Sequence, residues 1–496
     1  MRSHTTAAIT LFALLPSGSA LAASCPGYST CPAVNYPRVL ASNVQAKSIL
    51  AAITAKETAS LASLQASGLT AAQFEALLGQ TLVFDKTLSA AKNEACALCH
   101  FPTAGFADGV TAFTPAAGIF PGSVTTRANF RTPPPLSYSA FAPVLSLRLG
   151  PPGGPLQVFV GGTFWDQRAT GLITGVPAAD QAAAPFTNPL EMGLPDQACV
   201  LRRIALAPYA ASFTKLWGAA TLAITWPANT DALCATPNAG GNQTPLTLSS
   251  ADRAQVATTL ADIGLTIAVY ETSPLASPFT SKFDAVQAGT ATFTAAEQAG
   301  FALFTGAAHC SVCHAAAPPP GTTGPALFTI FAALNDGIPH NSAVPYLTEN
   351  TADSAGYIAN PQGTAFIDEG VGAFLASAAN TNPSWKAQAA NFTGTMQVPT
   401  LRNVAALASK GATRTYMHNG FFHRLEAVVH FYNTRDVLPV CTGTGTSGIG
   451  VTCWPAPEVA ANENHIVGKL GLSAAQEGQI VAFLRTLTDG YGSVAP

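Results

Sequence analysis

The chain has 496 residues, only 10% of them charged, and a net charge of −3 at neutral pH. That sparse, slightly acidic balance, with no basic tract, leaves no surface suited to nucleic acid, while the length allows two or three domains. The 42 Gly and 37 Pro imply long ordered loops around a modest amount of helix.

Residues 1–22 read as a secretory signal peptide. Arg2 and His4 give a weakly positive start, Ala7–Leu15 an apolar stretch, and Ala20-Leu21-Ala22 a small-x-small cleavage pattern. Pro16 and Gly18 cut the apolar run short of a membrane span, and no later segment reaches spanning length without a charge or breaker. The mature chain is therefore expected in the periplasm with no integral membrane segment. Ala22-Ala23-Ser24 before Cys25 is a poor lipobox, which argues against a lipoprotein.

Val44 to about Ala66 has a helical pattern, with Gly68 placed to end it. Thr70-Ala71-Ala72-Gln73 has the form of a capping box before Phe74, Leu77 and Leu78. Next comes Cys96-Ala97-Leu98-Cys99-His100, the attachment signature of a c-type haem: two thiols add to the vinyl groups and the histidine ligates the iron. The device recurs at Cys310-Ser311-Val312-Cys313-His314. A redox pair or half a zinc site would explain neither the histidine after each pair nor the duplication. Two covalently bound haems c follow, held by Cys96, Cys99, Cys310 and Cys313, with His100 and His314 as iron ligands.

Phe164-Trp165-Asp166-Gln167-Arg168 opens a second functional stretch, which ends at Asn188-Pro189-Leu190-Glu191-Met192-Gly193. Ala198–Lys215 and Ser250–Glu271 look helical, with a polar loop, Trp226–Thr247, between them. The prolines of Ser273–Pro278 mark a domain boundary, giving 23–275 and 276–496. The second half repeats the layout of the first: a capping box at Thr294-Ala295-Ala296-Glu297, a Phe-rich turn, then the haem motif. Pro318–Gln397 reads as a long insert of mixed coil, and Ser473-Ala474-Ala475-Gln476 caps a last amphipathic helix. The fold class is mainly α: two cytochrome-c-like haem domains with long ordered loops and inserts. Of the 10 Cys, those outside the haem motifs are Cys25, Cys31, Cys199, Cys234, Cys441 and Cys453. Sequence proximity favours 25–31, 199–234 and 441–453 as disulfides, although other pairings remain open.

In this order the motifs resemble the bacterial dihaem cytochrome c peroxidase family, and within it the MauG-like branch. The resemblance runs through Leu82–Asp85, Cys96–His100, Phe164–Arg168, Gln181–Gly193, Ala299–His314, Val398–Val404, Tyr416–Gly420 and Leu425–Asn433. It implies a peroxidatic first haem on His100. No histidine stands between His100 and His309, so the far side of that iron should be open to peroxide. Glu191 matches the distal acid, Gln181 a distal glutamine that orients peroxide, and Trp165 an inter-haem electron relay. The usual Gly after Trp-Asp is Gln167 here. The second haem should take His314 and Tyr432, with Met396, Met417 and His430 as rival ligands. A structural calcium is implied at Thr132, Thr413 and Thr415, although the usual Asn is replaced by Thr132. The implied activity is reduction of hydrogen peroxide with electrons from a small periplasmic donor, a cytochrome c or cupredoxin, through the second haem. The alternatives are MauG-like oxidation of a partner protein's aromatic side chains and a non-enzymatic dihaem electron carrier. Against the MauG-like reading, the exit tryptophan of that branch is Ala308 here.

Overall fold

The computed structural model describes residues 44–107, 117–151, 153–318, 323–406, 414–442 and 448–492. The signal peptide, Cys25, Cys31 and Thr413 lie outside the described residues. Among the described residues most regular structure is helical, and the strands form two short antiparallel pairs.

Helices α1 (Val44–Leu64), α2 (Ala71–Phe84), α3 (Pro177–Ala183), α4 (Gln197–Ala205), α5 (Ala210–Trp217) and α6 (Ser250–Thr272) belong to the first half. The expected capping box closes α2: Thr70 accepts from the Gln73 N–H while the Gln73 side chain accepts from the Thr70 N–H. Buried Leu78, Leu82, Val83 and Phe84 carry α2 onto α6. The crossing is close because of Gly79, where a Cβ would collide with the Thr266 carbonyl. The single helix expected over Ala198–Lys215 is two helices, broken at Leu206–Tyr209. Pro208 is the cause: it has no N–H to donate and its ring would clash with a carbonyl one turn back. The Cys199–Cys234 disulfide forms as expected and ties α4 to the Trp226–Thr247 loop, which contains a short helix at Thr230–Leu233.

In the second half, α7 (Ala295–Thr305), α8 (Leu425–Thr434) and α9 (Ala474–Arg485) surround a phenylalanine cluster. Phe483 sits at its centre, its ring 5.0 Å from Phe301 and 5.1 Å from Phe304. Both expected capping boxes, Thr294 with Glu297 and Ser473 with Gln476, are present. The Cys441–Cys453 disulfide also forms. The insert is not featureless coil: it pairs Ala333–Leu334 with Met396–Gln397 and forms a helix at Gly370–Ala376. Part of it packs on the first half, where Val344, Tyr346 and Leu347 share a core with Ile119, Ala128 and Leu190.

Candidate functional site

Each Cys-x-x-Cys-His motif folds as one tight turn against the wall of a cavity. Cys96–Cys99 is a single helical turn, closed by the His100 N–H on the Cys96 carbonyl. The His100 Nδ1 lies 3.1 Å from the Phe106 carbonyl, which leaves Nε2 as the ring nitrogen for an iron. Burial lowers the His100 pKa to about 4, so the imidazole is in the neutral form that a metal requires. Cys96 and Cys99 are free thiols, although two other cysteine pairs in the chain are oxidised. They open on a cavity of about 370 Å³.

Gln181 on α3 and Glu191 in the turn that follows line the same cavity. The turn is set locally: the Leu190 N–H donates to Asn188 Oδ1 at 3.0 Å, and Gly193 takes a φ of +66° that favours glycine. Glu191 Oε1 accepts from the Asn129 amide at 2.8 Å, whereas Oε2 is closed off from solvent with no hydrogen-bond partner. Burial raises the Glu191 pKa, opposed by Arg168 and by the Asn188 and Asn129 amides. Arg168 also lines the cavity, with its guanidinium 3.6 Å from the Phe164 ring centroid. Among the residues lining this cavity, His100 is the only histidine.

Two further carboxyls line the same cavity and were not anticipated from the sequence: Glu94 and Glu271. Glu94 Oε1 lies 3.4 Å from Cys99 Sγ, which donates to it, and Oε2 has no partner. Burial, reinforced by the nearby Glu191, pushes its pKa up to about 8. Burial alone holds Glu271, at the end of α6, well above the usual carboxylate range. The available signal was a charged residue two places before Cys96 in a chain otherwise poor in charge.

The second cavity repeats the proximal arrangement. His314 Nδ1 lies 2.9 Å from the Phe328 carbonyl, and Cys310 and Cys313 are free thiols on the wall. Tyr432, on α8, lines this cavity with Met417 and Met396. Its hydroxyl donates to Asp336 Oδ2 at 3.0 Å. Burial and the Asp336 carboxylate raise the Tyr432 pKa, so a ferric ion would have to displace that proton to bind the oxygen. His430 does not reach this cavity. Its Nδ1 pairs with Glu477 at 3.0 Å and its Nε2 with the Gly450 carbonyl at 2.9 Å.

Trp165 lines both cavities. Its Nε1–H donates to the Thr132 carbonyl at 2.8 Å, and its ring meets His418 edge-on with centroids 6.3 Å apart. His418 Nε2 lies 3.7 Å from Glu458 Oε2, a charge-pair distance rather than a hydrogen bond. Beside Trp165, buried Arg131 pairs with Asp166 and with Asp368, each at 2.6 Å. Gln167 adopts a φ of +56°, the conformation that a glycine at this point takes without strain. Its amide offsets the strain by donating to the Phe159 and Phe331 carbonyls at 3.2 and 3.0 Å. Thr132 Oγ1 donates to the Met417 carbonyl at 2.9 Å, and the Thr132 N–H to the His418 carbonyl at 2.7 Å.

Both cavities fit a covalently attached haem. Each offers two unpaired thiols and a neutral imidazole oriented by a main-chain carbonyl. The first also holds buried carboxyl oxygens that no protein group satisfies, at Glu94, Glu191 and Glu271.

Residues 73–292 match the family model described as di-haem cytochrome c peroxidase. The chain is 30% identical over 421 residues to the methylamine utilization protein MauG of Paracoccus denitrificans, covering 84% of this chain and 88% of that one. It is 24% identical over 415 residues to the cytochrome-c peroxidase IdrP1 of Denitromonas iodatirespirans, covering 83% and 80%. Among solved structures, a variant of the diheme peroxidase BthA from Burkholderia thailandensis shares the fold with a TM-score of 0.62. That match has 24% identity and covers 85% of this chain and 88% of that one.

Proposed function

Because this chain belongs to the di-haem cytochrome c peroxidase family, with MauG among its relatives, and is a haem-dependent oxidoreductase, we propose that it reduces hydrogen peroxide at the first cavity. The electrons come from a small periplasmic donor and enter by the second cavity. The balance is one peroxide, two protons and two electrons to two waters. The observation that carries this reading is the lining of the first cavity. It presents Glu191, with Oε2 unpartnered, and no histidine that could block an iron on His100.

Bound haem would supply the iron that receives peroxide and passes electrons. This chain's own residues do the rest. Glu191 Oε2 takes the proton from the inner peroxide oxygen and returns it to the outer one, a task suited to a carboxyl whose pKa burial has raised. Gln181 orients the substrate, and Trp165, shared by both walls, carries electrons between them. His314 and Tyr432 would hold the second iron, the tyrosine oxygen favouring its oxidised states. A calcium at Thr132, Thr413 and Thr415 would take neutral oxygens from these residues, so they would hold it weakly. The two haem domains meet at Ser273–Pro278.

MauG-like oxidation of a partner's aromatic side chains is the second reading, favoured by the identity to MauG and by Tyr432 on the second cavity. Ala308, fully buried where that branch has its exit tryptophan, weighs against it.

Ferric optical and spin-resonance spectra followed by rapid mixing with peroxide test the proposal. One high-spin and one low-spin haem, with direct reaction in the diferric state, are expected. Two low-spin haems, or reaction only after half-reduction, would refute the open first site and point to Met192, the thioether on that wall.

A further inference from the structure

The segment Arg127–Phe130 separates the first cavity from the insert, and three of its four residues are held by the insert. Arg127 Nε donates to Asp353 Oδ2 at 2.7 Å, and its guanidinium lies 4.5 Å from the Tyr357 ring centroid. The Ala128 N–H donates to Glu349 Oε2 at 3.0 Å. The Phe130 ring packs against Tyr346 and Phe366, with centroids 5.1 and 5.0 Å away. The fourth residue, Asn129, lines the cavity beside Phe130.

Asn129 makes two bonds that together fix its amide. Oδ1 accepts from the Phe130 N–H at 2.8 Å, and Nδ2 donates to Glu191 Oε1 at 2.8 Å. The main-chain bond decides the orientation, because an oxygen committed to an N–H leaves only the amino group for the carboxylate. The same strip also meets the Glu191 turn directly, since Arg127 Nη1 donates to the Pro189 carbonyl at 3.3 Å.

We propose that Asn129 is the positioning residue of Glu191, and that the insert segment 345–368 serves to brace it there. The inference rests on the reading of Glu191 as the distal acid. The charged and titratable groups beside Glu191 are Arg168, which favours its ionised form, and Glu94, whose carboxyl Glu191 helps to keep protonated. Cys96 and Cys99 also face this cluster and would become thioethers once haem is attached. Asn129 adds a neutral donor that stabilises the carboxylate without locking it into an ion pair. By occupying Oε1 it leaves Oε2 as the proton-accepting oxygen.

The test is made on the diferric holoprotein without peroxide. The infrared carboxyl band of Glu191, assigned by its loss in Glu191→Gln, is followed against pH. In Asn129→Ala the midpoint should rise by about one pH unit, the scale of one lost hydrogen bond to a charged group. Glu349→Ala, which frees the Ala128 N–H, should move it the same way by less. The alkaline plateau of the single-turnover rate with peroxide should survive in Asn129→Ala, with only the limb displaced. Asn129→Asp, which puts a carboxyl in place of the donor, should also raise the midpoint and guards against an uninformative alanine variant. A midpoint unchanged in Asn129→Ala and Asn129→Asp, with the second-haem spectrum intact, overturns the assignment. A midpoint that moves while the peroxide rate stays at wild type supports the grip of Asn129 on Glu191 and instead refutes the role of Glu191 as acid.

Discussion

The Tyr432 hydroxyl and the Met417 sulfur lie 3.9 Å apart in the lining of the second cavity, so an iron held by His314 would have two neighbouring claimants for its other ligand. Their chemistry differs enough to separate them. Tyr432→Phe should abolish the tyrosinate signature of the low-spin second haem and raise its reduction potential, whereas Met417→Ala and Met396→Ala should leave the signature in place. Spin-resonance spectra of the three ferric variants decide the question.

Glu191→Gln keeps size and hydrogen bonding but cannot move a proton. Single-turnover oxidation by peroxide should slow by about 10²–10⁴-fold, and more than in Gln181→Ala, which removes only an orienting amide. In the parent protein the rate should rise with pH as Glu191 ionises, through a midpoint above the ordinary carboxylate range. A wild-type rate in Glu191→Gln across the pH range would make the residue a spectator.

Trp165→Phe keeps a ring in the shared wall but removes the oxidisable indole and its bond to the Thr132 carbonyl. Each haem should retain its own spectrum. After mixing with peroxide, electron withdrawal from the second haem should be slowed at least tenfold. An unchanged inter-haem rate would show that electrons bypass this residue.

Glu458 gives a stability prediction with a definite sign. Burial would raise its pKa, but the hydrogen bond from His340 and the nearby His418 imidazole hold it down to about 2, below the ordinary 4.5. A depressed carboxyl contributes stability above its unfolded pKa and loses it as pH falls through the folded value. Glu458→Gln should therefore cost roughly 3 kcal/mol at pH 6. That penalty should shrink progressively below pH 4.5 toward pH 2. Denaturant midpoints of both proteins measured at several pH values check it.

What was legible in the sequence was mostly local. The three capping boxes and the two haem motifs are short-range patterns, and the structure forms the boxes where their residues stand. The two disulfides that can be checked join the cysteine pairs nearest in sequence. Resemblance placed Glu191 and Gln181 on one wall and Trp165 between the cavities, and the side chains do line those cavities. Glu94, Glu271 and Asn129 were missed because what marks them is three-dimensional: a buried oxygen without a partner, or an amide 62 residues away in the chain from the carboxylate it holds. The break at Pro208 was readable and was masked by the apolar periodicity on either side of it.

The brace on Arg127–Phe130 bears on how such a protein can be built or rearranged. The wall of the first cavity is assembled from both halves of the chain, since Tyr346, Glu349 and Asp353 follow the second Cys-x-x-Cys-His motif in sequence but support the pocket of the first. The halves are therefore not interchangeable cassettes, despite their parallel layout. A chimera joined at Ser273–Pro278 that borrowed its second half from a relative without this insert would inherit a complete first haem motif and an unsupported acid.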